Sequence, residues 1–133
     1  MHARYLKWGV AFAALAVILG AFGAHSLKQQ FSEKVLLIFE TGVRYQFYHS
    51  IALLISGILY KEYPTKMMVR AGQLFIAGIF LFSGSLYLLT FLNGNNISSF
   101  NWVGILTPIG GVLFITGWIL LFIAINKKAS LSN

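Results

Sequence analysis

The stretch WVGILTPIGGVLFITGWILLFIAI at residues 102–125 holds no charged side chain. A helix needs about 20 such residues to cross the hydrocarbon core of a bilayer. Three further apolar stretches of similar length occupy about residues 5–27, 42–60 and 71–92. The pattern therefore predicts four membrane-spanning helices in a single domain that covers residues 1–133.

The overall composition agrees with a lipid environment. The chain is 58% hydrophobic and 10% charged, whereas a soluble domain carries about 25% charged residues. Ten Lys and Arg and three Asp and Glu cannot cover a surface that faces water, so lipid must be the outer solvent. The positive charges lie between the apolar runs and form no patch, so nucleic acid is not a predicted partner. The absence of cysteine excludes disulfides and thiol chemistry.

The connections predict how the spans are arranged. Residues 61–70 and 93–101 are too short to reach back across a membrane, so the spans that they join must be antiparallel. The predicted fold is an all-α, integral membrane, four-helix up-down bundle. The connection 28–41 differs, because the apolar run VLLIF follows Ser32, a suitable N-cap residue. It predicts a short interfacial helix between spans 1 and 2, and a polar loop is the alternative.

The distribution of Lys and Arg predicts the orientation. The side that holds the N-terminus, the second connection and the C-terminus carries seven of them: Arg4, Lys7, Lys61, Lys66, Arg70, Lys127 and Lys128. The opposite side carries three: Lys28, Lys34 and Arg44. We therefore expect a multi-pass protein of the plasma membrane with both termini in the cytoplasm.

Polar residues within the spans concentrate at one depth. The end of span 1, the start of span 2, the end of span 3 and the start of span 4 lie in one leaflet of an up-down bundle, the outer one in the predicted orientation. The candidate polar cluster comprises His25, Glu40, Arg44, Tyr45, Gln46, His49, Ser83, Ser85, Tyr87 and Thr107. Tyr45, His49 and Ser56 recur at helical spacing, and Glu40 lies one turn from Arg44. We expect His49 to face the protein interior and to bond across helices, because an unpaired imidazole in lipid is costly.

Two interpretations of the polar cluster remain open. It could be a polar pocket or a proton-accessible site, or its side chains could bond across helices and hold the bundle together. No acidic residue lies deep in a span to act as a base or a cation ligand, and two histidines without a set spacing do not predict a metal site. The sequence contains no phosphate loop, nucleophile elbow or dinucleotide fingerprint. Neither an enzymatic activity nor a cofactor is predicted.

Small residues recur along the spans and predict close helix packing. They are Ala16, Gly20, Ala24, Gly78, Ser85, Gly104 and Gly111. In span 4, Pro108 is expected to kink the helix and to free a backbone carbonyl.

The chain also resembles a known family at several motifs. They are GAFGAH at 20–25, TGVRYQFYH at 41–49, LFSGSLY at 81–87, TPIGG at 107–111 and GW at 117–118. In this order they are similar to the domain-of-unknown-function 423 family, also called uncharacterised protein family 0382, which has transmembrane protein 256 as an animal relative. Arg44 stands where the family more often has Gln. The resemblance implies a four-span bundle in a bacterial plasma membrane and brings no activity, cofactor or partner.

The sequence therefore leaves two functions open. One is a non-catalytic membrane component whose polar cluster stabilises the bundle or docks another membrane protein. The alternative is a small oligomeric transporter or channel for an ion or a small solute. The lipid bilayer is the predicted partner in both cases, with a homo-oligomer as a further expectation.

Overall fold

The computed structural model describes residues 1–129, apart from the side chains of residues 101 and 127–129. The described residues are helical, without a β-strand. Five α-helices follow in order: α1 (Ala3–His25), α2 (Glu33–Leu59), α3 (Lys66–Gly78), α4 (Gly84–Gly94) and α5 (Leu106–Ala129). A π-helical segment, Ile79–Ser83, joins α3 to α4, and 3₁₀ turns lie at Leu27–Gln29 and Asn101–Ile105. Since α3, the π segment and α4 are continuous, residues 1–129 form four helical rods.

Three of the rods are long and apolar enough to cross a membrane: Ala3–Gln29, Lys66–Gly94 and Trp102–Asn126. The helix α2 is not among them, although it has 27 residues. Polar side chains such as Gln46 and His49 lower its mean hydropathy, and both are buried against the other helices. The outer side of α2 instead exposes large apolar side chains, which include Phe47, Tyr48, Ile51, Ile55 and Ile58.

The predicted interfacial helix between spans 1 and 2 is wrong. Residues 33–41 form the first turns of α2, which runs from Glu33 to Leu59 as one α-helix. Gly42 lies inside this helix, and its missing Cβ lets Tyr87 pack against the backbone, since a methyl there would lie 2.8 Å from the Tyr87 ring. Ser32 occupies the N-cap position as expected, but its side chain makes no capping hydrogen bond.

Contacts at the helix ends define the relative directions of the rods. At one end, the His2 amide donates to the Gly57 carbonyl and the Tyr5 hydroxyl donates to the Val69 carbonyl. The start of α1 therefore meets the end of α2 and the start of α3. At the other end, Phe31 contacts Gly94. The second and third rods occupy the centre, since α2 packs against α1, α3, the π segment and α4, and α5 packs chiefly against α3 and the π segment.

The core lies toward the end of the molecule that holds both the start of α1 and the end of α5. It consists of Tyr5, Phe12, Ala52, Leu53, Met68, Ala71, Phe75, Ile79, Phe114, Leu121 and Ala124. Glycines allow several of these side chains to reach a neighbouring helix: Gly72 faces Tyr5, Gly78 faces Phe114, and Gly117 faces Phe75. Close packing without a strong hydrophobic drive between helices is typical of membrane proteins.

Two details of α5 differ from expectation. Pro108 does not interrupt the helix, because α5 begins at Leu106 and the proline lies in its first turn, where backbone N–H groups lack intrahelical acceptors. Gly104, in the 3₁₀ turn before α5, and Gly111 are not at the tightest contacts of the fourth rod. A Cβ on Gly104 would meet nothing within 4 Å, and one on Gly111 would lie 3.8 Å from the Phe82 ring. The closest approach is at Gly110, which lies against the backbone of Phe82.

Candidate functional site

The structure divides the ten residues of the predicted polar cluster into two groups. The first group is buried or half-buried between helices and comprises Gln46, His49, Ser83, Ser85, Tyr87 and Thr107. The second group is exposed and comprises His25, Glu40, Arg44 and Tyr45. Tyr45 does not share the buried face of His49 and Ser56, and its side chain is 39% exposed.

Gln46 links three rods through its side-chain amide. Its Nε2 donates to the Phe12 carbonyl of α1 at 2.9 Å, and its Oε1 accepts from the Tyr87 hydroxyl of α4 at 2.7 Å. The side chain is 2% exposed. A buried amide needs such partners, because each unpaired polar group in a low-dielectric interior costs free energy. Gln46 therefore acts as a bridge at the centre of the molecule.

Two serines make further links between rods. Ser83, the last residue of the π segment, is fully buried and donates to the Gly42 carbonyl of α2 at 2.7 Å. The Ser85 hydroxyl donates to the Phe82 carbonyl at 2.9 Å and lies 2.7 Å from the Thr107 hydroxyl. Because Ser85 has only one proton to donate, Thr107 is the donor in the second bond. These contacts join α4 to α5 and the π segment to α2.

His49 is 5% exposed and bonds across helices, as expected. Its Nδ1 lies 2.8 Å from the Tyr45 carbonyl, and the Trp118 indole Nε1–H donates to its Nε2 at 3.2 Å. A carbonyl cannot donate and an indole N–H cannot accept, so the two bonds require the neutral tautomer with the proton on Nδ1. The ring stacks on Phe114 with centroids 3.4 Å apart.

The partners of His49 are not those that the sequence suggested. Equal depth favoured Ser83, Ser85, Tyr87 and Thr107, but these side chains bond to one another, to Gln46 or to backbone carbonyls. The actual partner, Trp118, lies on α5, and no spacing within the sequence pairs it with His49. The one available signal was an indole N–H deep in an apolar stretch, which needs an acceptor.

The four exposed residues do not come together in one place, and only Glu40 and Arg44 line the same cavity. Glu40 and Arg44 lie one helical turn apart, but within residues 1–129 no ion pair joins them and neither side chain makes a hydrogen bond. Both line a cavity of about 230 Å³ between α1 and α2, together with Gly20, Gly23 and Ala24. His25 does not line this cavity. Among the described residues there is no group of three His, Cys, Asp or Glu that could hold a metal ion.

A second, larger groove opens at the same end of the molecule. It has a volume of about 360 Å³ and is bordered by Phe22, Leu27, Gln30, Phe31, Phe39, Tyr87, Thr90, Phe91 and Asn95. Three of its polar side chains are already hydrogen-bonded, because Tyr87 donates to Gln46 while Thr90 and Asn95 donate to carbonyls one turn back along the chain.

Comparison with known proteins gives consistent matches. The sequence model of a family described as "Protein of unknown function (DUF423)" matches residues 19–111. A UPF0382 membrane protein of Staphylococcus aureus is 46% identical over 126 residues, which cover 94% of this chain and 97% of the relative. The UPF0382 membrane protein YwdK of Bacillus subtilis is 41% identical over 124 residues, covering 92% of this chain and 96% of the relative. No solved structure matches.

Proposed function

Because the chain belongs to the DUF423 family of proteins of unknown function, and because the relatives described above are named as membrane proteins, we propose a non-catalytic role in the cell membrane. In this proposal the chain is a multi-pass component with four spans. Its buried polar residues stabilise the bundle, and its exposed surface is available to lipid or to another membrane protein.

The observation that carries the proposal is the use of the buried polar side chains. Gln46, His49, Ser83 and Ser85 each bond to a neighbouring rod, to a backbone carbonyl, or to both. A binding site for an ion or a solute requires convergent polar groups that remain free for the ligand. Here those groups are occupied in holding the rods together, which is the role of polar residues between membrane helices.

The polarity of α2 supports a fourth span. A helix that crosses a membrane beside others can keep polar side chains if they face its neighbours, because only the lipid-facing side must be apolar. Gln46 and His49 are buried whereas Ile51 and Ile55 are exposed, so α2 is polar inside and apolar outside over its second half. The antiparallel contacts of successive rods favour the up-down arrangement.

Both termini are expected in the cytoplasm, because seven Lys and Arg lie on that side and three on the other. Reporter fusions at Asn133 and within residues 93–101 measure this. We expect the C-terminal fusion to be active only with a cytoplasmic reporter and the loop fusion only with an external one. An external C-terminus would overturn the orientation.

We expect no solute flux through the purified protein in liposomes, at any pH between about 5 and 8, the range in which histidine normally changes charge. Ion flux is measured with dyes entrapped in the liposomes.

Ser85→Ala should lower the free energy of unfolding by about 0.6 kcal/mol, the average for such bonds in a membrane protein. Thermal unfolding in detergent measures this loss.

The matched variant for flux is His49→Gln, which can bond but cannot titrate. If the wild-type protein carried a pH-dependent flux that His49→Gln lost without losing stability, the protein would be a transporter. That result would contradict the proposal directly.

A further inference from the structure

The face shared by α1 and α2 carries a groove with one polar and one apolar part. The polar part is the cavity of about 230 Å³ that Gly20, Val43, Glu40 and Arg44 help to line. The apolar part is an adjoining space of about 330 Å³, bordered by Ala16, Val17, Gly20, Val43, Arg44, Phe47 and Tyr48. Because Gly20, Val43 and Arg44 border both, the two parts form one continuous surface feature, which we call the α1/α2 groove.

The two charges of the α1/α2 groove are left without partners inside the described protein. Glu40 and Arg44 are exposed and make neither an ion pair nor a hydrogen bond within residues 1–129. The buried side chains of Gln46 and Ser83 are by contrast hydrogen-bonded within the protein. A charged side chain on the surface of a membrane helix is costly unless something outside the helix satisfies it.

The depth of these charges places them near lipid headgroups. Tyr60, the residue that follows the end of α2, lies sixteen positions after Arg44, and sixteen positions extend about 24 Å at 1.5 Å per residue. The hydrocarbon core is about 30 Å thick, so with Tyr60 at one boundary the Arg44 backbone lies just inside the other. A long arginine side chain then reaches the phosphate level, and Glu40 lies one turn further out.

We propose that the α1/α2 groove binds one phospholipid whose headgroup carries both a phosphate and a primary ammonium. Arg44 holds the phosphate, for which a guanidinium has the matching donor geometry. Glu40 accepts hydrogen bonds from the ammonium group. One acyl chain lies along the apolar part, over Gly20 and Val43 toward Phe47. This inference rests on the proposed insertion of α1 and α2 in the membrane, and not on which side the termini face.

The charge pattern selects this lipid class over the alternatives. A headgroup with a phosphate alone would place its negative charge near Glu40, which repels it. A choline headgroup has a positive charge but no N–H to donate to the carboxylate. A second copy of the chain would have to cover the same groove, and it would then exclude lipid.

The test is native mass spectrometry of the full chain released from a mild detergent. The protein is titrated with phosphatidylethanolamine, phosphatidylglycerol and phosphatidylcholine that have identical acyl chains. We expect tightest binding of one phosphatidylethanolamine. Arg44→Gln should weaken this binding about tenfold, the equivalent of one charge-assisted hydrogen bond. Glu40→Gln should remove the preference for phosphatidylethanolamine over phosphatidylglycerol.

Arg4→Gln and Gly84→Leu are controls that separate lipid binding in the α1/α2 groove from general effects of lost charge or added bulk. Arg4→Gln removes the same charge at the other end of α1 and should leave lipid binding unchanged. Gly20→Leu should block the groove, because a Cβ at Gly20 meets only Val43, at 3.5 Å, and the backbone can stay in place. Gly84→Leu is the matched control, since a Cβ there meets nothing within 4 Å.

Equal binding of the three lipids by the wild-type protein would overturn the inference, as would unchanged binding in both Arg44→Gln and Gly20→Leu. A dimer that dissociates in Gly20→Leu while no lipid is retained would assign the groove to a second copy instead. Carbonate extraction of the same variants reports membrane insertion separately. If the protein inserts into the membrane but does not prefer one lipid, only the proposed lipid site is disproved, and the proposed membrane insertion stands.

Discussion

Gly110→Ala is expected to lower the free energy of unfolding by about 3 kcal/mol, the upper end of the usual cost of overpacking. The added methyl would overlap the backbone nitrogen of Phe82 and lie 2.8 Å from its Cα. Backbone atoms cannot rotate out of the way, so α5 must move off the π segment. That movement would also stretch the bond between Ser85 and Thr107. Thermal unfolding in detergent, or reversible unfolding in mixed micelles, measures the loss.

Gly111→Ala is the matched control for this prediction. The nearest atom to its added methyl would be a Phe82 ring carbon at 3.8 Å, an ordinary contact distance. Since alanine is the better helix former, this variant should be as stable as the wild type or more stable. Equal destabilisation by the two substitutions would show that α5 does not pack on the π segment as described.

Gln46→Leu should cost about 1–3 kcal/mol, the penalty for leaving a buried partner without its hydrogen bond. The group left behind is the Tyr87 hydroxyl, which donates to Gln46 Oε1 at 2.7 Å. Leucine has a volume close to that of glutamine, so the loss reports the missing hydrogen bonds and not a cavity. The measurement is again thermal unfolding of the purified protein.

A double-mutant cycle isolates the bond between these two side chains. Tyr87→Phe alone removes the donor, and the pair Gln46→Leu with Tyr87→Phe removes both polar groups. We expect the double variant to lose less stability than the sum of the single variants, by about 0.6–1.7 kcal/mol, which are the average and the maximum measured for such bonds in a membrane protein. Strict additivity would mean that Gln46 contributes only through its bond to Phe12.

These predictions depend on contacts that the sequence could not supply. The sequence predicted that His49 is buried and bonds across helices, which the structure confirms, because the cost of leaving a polar group in lipid follows from its position in the span alone. It placed Ser85 and Thr107 at one depth, since a short connection makes consecutive helices antiparallel, but as partners of His49, whereas the structure bonds them to each other. It did not identify Trp118 as the partner of His49, or Gly110 as the tightest contact of α5.

The sequence by itself determined that the chain is helical, that its environment is lipid, and its family. Each follows from the length of the apolar runs, from the scarcity of charge or from motifs along one chain. Only the tertiary structure decided that residues 33–41 extend α2, that Pro108 opens α5, and which polar groups pair. Helical periodicity states which residues share a face, but not how far one helix is shifted or rotated against the next. That register depends on side chains from different rods fitting together, such as Tyr87 over Gly42 and Phe82 against Gly110.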